Sequence, residues 1–154
     1  LRELELHSGL ENDARLVAAL ANHDIETVFS LCRTLLGRGE GLTPEGDDLL
    51  AGAFAAYRLL APAVDIDAAW LKDIAGEIVA LAGSKTTSFS AALVRYALEG
   101  RVAAPFGSVL RSLASGTNLS SATERLLTVG HTSGELLAKG LLTGGEAINQ
   151  EIRQ

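Results

Sequence analysis

Leu49-Leu-Ala-Gly-Ala-Phe-Ala-Ala-Tyr-Arg-Leu-Leu-Ala-Pro-Ala-Val64 is the longest apolar stretch of the chain. Arg58 and Pro62 interrupt it, so it falls short of the roughly 20 apolar residues that span a bilayer and reads as a buried helix. Outward from it the apolar residues keep helical steps of three and four: Leu16, Ala19 and Leu20, then Val28, Leu31 and Leu35, then Trp70, Ile74, Ile78 and Leu81. No segment alternates as a strand would. Gly37, Gly83, Gly100, Gly116, Gly130 and Gly144 fall where helices end, and Asp, Ser, Thr or Asn precede new ones. The expected helices lie near residues 10–22, 24–36, 44–61, 67–82, 87–99, 106–115, 121–129, 133–143 and 145–153. The pattern predicts an all-α fold, a single compact bundle of about eight or nine short helices over residues 1–154.

Composition narrows the function classes. The chain has 154 residues, the length of one ordinary domain, and 47% are hydrophobic, so disorder and low-complexity readings fail. Aromatics are only 5% against 16 Gly, which favours closely packed helices over a β-sandwich. A net charge of −6 argues against nucleic acid as the main partner, since no basic surface is expected for its phosphates, and the short apolar run argues against a membrane. The single Cys32 can form no disulfide or thiolate cluster within the chain, sits mid-helix as a packing residue, and suits a cytoplasmic location. Trp70 and Tyr57 fall on apolar helical faces and are expected in the core, whereas His7 and His23 lie in polar surroundings and are expected to be solvated. The chain opens at Leu1 and contains no Met, so it is expected to be the C-terminal part of a longer subunit.

Three segments carry candidate chemistry. The first is Gly37-Arg-Gly-Glu-Gly-Leu-Thr-Pro-Glu-Gly-Asp-Asp-Leu-Leu-Ala-Gly52, a Gly-rich loop that opens the central helix. Gly37, Gly39 and Gly41 let the backbone approach a ligand, and the N–H groups of a helix start suit an anion. It has neither the Lys of a P-loop nor the Gly spacing of a dinucleotide fingerprint. Asp47 and Asp48 together offer oxygen ligands to Mg²⁺. Plain capping accounts for part of the same stretch: Thr43 suits an N-cap with Pro44 at the first helical position, and acids favour the positive helix end. Gly52, one turn beyond Asp48, leaves room for a partner helix or a ligand.

The second segment is Gly130-His-Thr-Ser-Gly134, where Thr132 and Glu135 have the spacing of a capping box and His131 is left over as a candidate proton donor. The third is Lys85-Thr-Thr-Ser-Phe-Ser90, in which Thr86, Thr87 or Ser88 suits an N-cap. If the three helix starts converge, they form a donor-rich pocket for a small carboxylate or phosphate.

On Gly39-Glu-Gly-Leu-Thr-Pro-Glu-Gly-Asp-Asp-Leu-Leu-Ala-Gly52 and Gly130-His-Thr-Ser-Gly134, the chain resembles the bacterial AllH-like family, once known only as a domain of unknown function. That family is associated with the AllH-type subunit of oxamate carbamoyltransferase. The Thr86, Thr87 and Ser90 segment and the Leu93 to Gly100 stretch follow the same order, so the resemblance covers most of the chain. It implies a cytoplasmic protein of anaerobic purine and allantoin breakdown that acts with two other kinds of subunit. The implied reaction is carbamoyl transfer between oxamate and carbamoyl phosphate, run from oxalurate and phosphate. The matching positions are Gly39, Gly41, Thr43, Pro44, Gly46, Asp47, Asp48 and Gly52, then Thr86 and Thr87, then His131, Ser133 and Gly134. The family commonly has an acid where this chain has Leu136, and Glu135 lies on a different helical face.

The resulting expectations are specific. Gly39, Gly41, Thr43, Gly46, Thr86, Thr87, Ser133 and Gly134 are expected to bind a small anionic substrate. Asp47, Asp48 and His131 are expected to carry the chemistry, with Mg²⁺ on Asp47 and Asp48 as a further expectation. Two other classes remain: a non-catalytic helical subunit that completes an assembly, and a Mg²⁺-dependent hydrolase of phosphate or glycosyl bonds.

Overall fold

The computed structural model describes residues 2–154, with side chains from residue 11 onward. Among these residues there are nine α-helices and one 3-10 turn, and no strand. His7 lies outside the described side chains.

Helices α1 (Arg2–Ala21) and α2 (Ile25–Leu35) form a hairpin. Asp24 caps α2, its carboxylate accepting the Thr27 N–H at 3.1 Å and the Thr27 hydroxyl at 2.6 Å. Val28, Leu31, Cys32 and Leu35 then point inward at helical spacing. Helix α3 (Glu45–Leu60) is buried from Gly46 through Tyr57, as a helix apolar on all sides must be when it occupies the centre of a bundle. Pro62 turns its end into a single 3-10 turn, Ala61–Val64.

Helix α9 (Ser133–Ile152) makes the most extensive packing against α3. Close approach at glycine governs this contact. A Cβ at Gly52 would stand 2.5 Å from the Leu137 carbonyl oxygen, one at Gly140 would stand 2.3 Å from the Leu49 carbonyl oxygen, and one at Gly144 would stand 2.6 Å from the Ala53 carbonyl oxygen. Only residues without a Cβ let two backbones meet at that distance. Around this pair lie α4 (Ala69–Asp73), α5 (Ala75–Lys85) and α6 (Ser88–Leu98), the last packed directly on α3. Helices α7 (Ala104–Ser115) and α8 (Leu119–Leu127) pack on each other, and α8 also contacts α9.

The expected map needs three corrections. The single helix expected at 67–82 is two, α4 and α5, which meet at Ile74. The two expected at 133–143 and 145–153 are one, because Gly144 is a contact glycine inside α9 rather than a terminator. Gly83 likewise lies inside α5, whereas Gly37, Gly100, Gly116 and Gly130 have the positive φ of helix-ending glycines.

His23 is not a solvated side chain. Its Nε2 lies 3.1 Å from the Tyr57 hydroxyl and 3.0 Å from Glu151 Oε1, and its ring stacks on Trp70 with centroids 5.0 Å apart. The Tyr57 hydroxyl donates to Glu151 Oε2 at 2.7 Å. Tyr57 is fully buried and burial raises its pKa, while Trp70 is half-buried. This network ties the α1–α2 turn, α3, α4 and the end of α9 together at the end of α3 away from Asp47 and Asp48.

Candidate functional site

The first turns of α3 and α9 meet side by side. The Thr43 and Ser133 hydroxyls lie 2.8 Å apart, linking residues 90 positions distant in the chain. Thr43 therefore does not cap α3: the N-cap is Pro44, which has no side-chain cap bond, and the Thr43 hydroxyl reaches across to α9. On α9 the N-cap is Thr132, as expected, but its side chain makes no cap bond, so the capping-box contact is absent.

Asp48 lies against this hydroxyl pair and is 3% exposed. Burial pushes its carboxyl above the ordinary value of 3.8, the Ser133 and Thr43 hydroxyls partly reverse the rise, and neighbouring Asp47 adds to it. The group faces a cleft of about 770 Å³ whose lining includes Gly41, Thr43, Asp48, His131 and Ser133. His131 is exposed at its edge, and Glu40 and Arg101 supply one charge of each sign.

Asp47 faces elsewhere. Successive residues on a helix project about 100° apart, so adjacent carboxylates diverge. Asp47 is 1% exposed; its Oδ1 accepts the Gly37 N–H at 2.8 Å, and its Oδ2 accepts the Ser90 hydroxyl at 2.6 Å and the Thr86 hydroxyl. It is the knot that joins the Gly-rich loop, the α5–α6 turn and α3. Asp47 is not part of the cleft lining, and its carboxylate is spent on protein donors. No cluster of three or more His, Cys, Asp or Glu suited to a metal ion occurs among the described residues. The Asp47–Asp48 pair thus does not present a shared ligand face to Mg²⁺, and the hydrolase reading loses the ligand pair on which it rested.

In the third segment Thr87 is one of the expected N-caps. Thr87 caps α6, accepting the Ser90 N–H at 3.1 Å, and its hydroxyl donates to the Leu42 carbonyl at 2.7 Å. Thr86 and Thr87 are absent from the cleft lining, as are Gly39, Gly46 and Gly134. Gly46 and Gly134 are packing positions: a Cβ would stand 2.0 Å from the Leu35 carbonyl oxygen in the first case and 2.1 Å from the Leu126 carbonyl oxygen in the second. Gly39, at φ +117°, shapes the loop against Glu45.

Sequence reasoning missed the far wall of the cleft, which includes Phe89, Leu93, Tyr96, Val102 and Phe106. The signal was the spacing of Phe89, Leu93 and Tyr96 along one face of α6, which reads equally well as a core stripe. Arg101 sits 4.7 Å from the Tyr96 ring centre and Arg95 sits 4.9 Å from it.

The family model described as "Oxamate carbamoyltransferase subunit AllH" matches residues 35–145, well over half of the chain and every segment that lines the cleft. No solved structure matches the chain.

Proposed function

The chain belongs to the AllH family, and from that premise we propose that it is the helical domain of a carbamoyltransferase subunit whose cleft holds the carbamoyl group during transfer between oxamate and phosphate. The observation that carries the reading is the meeting of Thr43, Asp48, His131 and Ser133 on one cleft, from the two motif segments.

In this mechanism Asp48 accepts the carbamoyl N–H, because a buried carboxylate with no ion-pair partner among the described residues is satisfied by neutral donors. The Thr43 and Ser133 hydroxyls hold Asp48 in place, and the backbone N–H groups at the uncapped start of α9 face the carbamoyl oxygen, on which negative charge develops. A phosphate oxygen attacks the carbamoyl carbon of oxalurate, the bond from that carbon to the oxamate nitrogen breaks, and the proton of the phosphate passes to the leaving nitrogen through His131. Other subunits complete the site, and the setting is cytoplasmic. No helix among those described is long and apolar enough to cross a membrane.

The test is turnover of the assembled enzyme carrying Asp48→Asn or His131→Ala. The expected result is a loss of roughly 100-fold or more in kcat for each. Unchanged turnover with intact assembly would remove both residues from the mechanism.

An assembly role is favoured by one observation: Leu42 and Phe89, both lining the cleft, are 61% and 50% exposed. Such residues suit contact with another subunit. The two readings are compatible, since a partner that covers them also excludes water from the cleft.

A further inference from the structure

The two ends of the cleft carry opposite charge. Asp48 marks one end, with Glu40 on the same loop as Thr43. Among the described residues Arg101 is the only Lys or Arg on the lining. Its position follows from the way α6 ends. At Gly100, with φ +74°, the chain reverses: the Gly100 N–H donates to the Ala97 carbonyl at 3.0 Å and the Arg101 N–H donates to the Tyr96 carbonyl at 2.8 Å, the two bonds that close a glycine-terminated helix. This turn brings the Arg101 guanidinium back to 4.7 Å from the Tyr96 ring centre, on the cleft. Arg95 also stands against that ring but is not part of the lining. The contact of Arg101 with Glu99, at 3.6 Å between exposed side chains, contributes little, so its fork of N–H donors is open to a ligand.

The distance between the ends suits the substrate. Helices α3 and α6 run in the same direction, since Asp47 meets Ser90 at their starts and Arg58 meets the Leu98 carbonyl at their ends. Tyr96 lies six residues beyond Ser90 on α6, a rise of about 9 Å along the cleft. Extended oxalurate places its carboxylate about 6 Å from its terminal nitrogen, five bonds away along a planar amide chain. With a hydrogen bond of about 2.9 Å at each end it reaches about 12 Å, enough to join Asp48 to Arg101. The reverse orientation would set the carboxylate against Asp48 and Glu40, two groups of its own sign.

We infer that Arg101 is the carboxylate anchor of this cleft: it fixes the oxamate end of the substrate while Asp48 holds the carbamoyl end, and so selects N-carbamoyl amides that carry a carboxylate. The inference rests on the carbamoyl seat proposed at Asp48 and adds what holds the other end.

Turnover of the assembled enzyme with oxalurate and with oxaluramide, its neutral carboxamide, tests it, because the two differ only at the end assigned to Arg101. The parent is expected to favour oxalurate about tenfold or more in kcat/KM, as a charge-assisted fork at an exposed guanidinium implies. Arg101→Gln, at an exposed position outside the core, should shrink that preference to about threefold or less, with the loss in the KM for oxalurate and not in the KM for phosphate. Arg101→Lys, which keeps the charge without the fork, should restore part of it. No preference in the parent, a preference that survives Arg101→Gln, or a loss confined to the KM for phosphate would overturn the inference.

The Asp48→Asn enzyme separates these outcomes from failure of the carbamoyl reading. Normal turnover there, with the Arg101→Gln effect intact, removes the carbamoyl seat and keeps the anchor. Lost turnover there, with a charge preference indifferent to Arg101→Gln, keeps the seat and removes the anchor. If the parent turns over neither compound, the carbamoyl reading fails, and titration of the isotope-labelled chain with oxamate and oxamide decides the role of Arg101. Oxamate binding about tenfold more tightly than oxamide, and only with Arg101 in place, keeps the anchor; equal affinities remove it.

Discussion

Replacing Gly140 by Ala probes the contact that sets the site. The new Cβ would lie 2.3 Å from the Leu49 carbonyl oxygen, 2.7 Å from the Ala53 nitrogen and 2.8 Å from the Gly52 Cα, all backbone atoms that cannot swing away. Ordinary contact begins at 3.4 Å, so α3 and α9 must separate by 3.4 − 2.3 = 1.1 Å at that point. Overpacking of this kind costs about 1–3 kcal/mol, and the better helix propensity of Ala returns up to about 1 kcal/mol. Three backbone atoms under 3.0 Å place Gly140 at the upper end of that cost, so the net loss is about 2 kcal/mol, a fall in Tm of about 4–8 °C for a chain of this size. Gly145→Ala is the control, because a Cβ there meets nothing within 4 Å on the same helix and is expected to raise Tm by about 2–4 °C. The separation also moves Ser133 relative to Asp48, and a displacement near 1 Å is expected to lower turnover of the assembled enzyme about 100-fold. Thermal unfolding of both variants reads the first effect and steady-state turnover the second. A Gly140→Ala protein as stable as the parent, or a Gly145→Ala protein equally damaged, would refute the packing argument.

Asp47→Asn is expected to destabilise the fold by about 2–4 kcal/mol in urea titration, because Gly37, Thr86 and Ser90 lose a charged acceptor that accepts from all three. Asp48 gives a pH signature: its pKa is raised on folding, so the native state binds the extra proton and stability declines as pH rises above the ordinary value of 3.8. Asp48→Asn removes that decline, so its stability relative to the parent should improve from about pH 4 toward about pH 7, as read by urea midpoints. Cys32, fully buried and with its pKa pushed up to about 12 by desolvation, should resist a disulfide reagent in the native protein and react at once on unfolding.

Helix positions were legible wherever a face stays apolar and the ends carry strong signals. The Val28, Leu31 and Leu35 stripe, capped by Asp24, is one case, and the fully apolar run of α3 is another. Glycine was ambiguous: the same residue type ends a helix at Gly130 and admits a neighbouring backbone at Gly144, and only the tertiary contact distinguishes them. The candidate site divided for a related reason. Asp47 and Asp48 are adjacent in sequence but about 100° apart on the helix, so one organises the loops and the other faces the cleft. Thr86 and Thr87 share the polar character of Thr43, yet their hydroxyls serve Asp47 and Leu42. The link between Thr43 and Ser133 spans 90 positions and had no local signature.

The central claim is that the carbamoyl substrate occupies this cleft. Methyl spectra of the labelled chain within its assembled enzyme test it directly, because Ala51, Ala55, Val129 and Leu137 place methyl groups on the lining. Saturating oxalurate is expected to shift those resonances and leave the methyls of Leu16 and Leu20, buried on α1, in place. Turnover of oxalurate with no movement at the four cleft positions would contradict the claim.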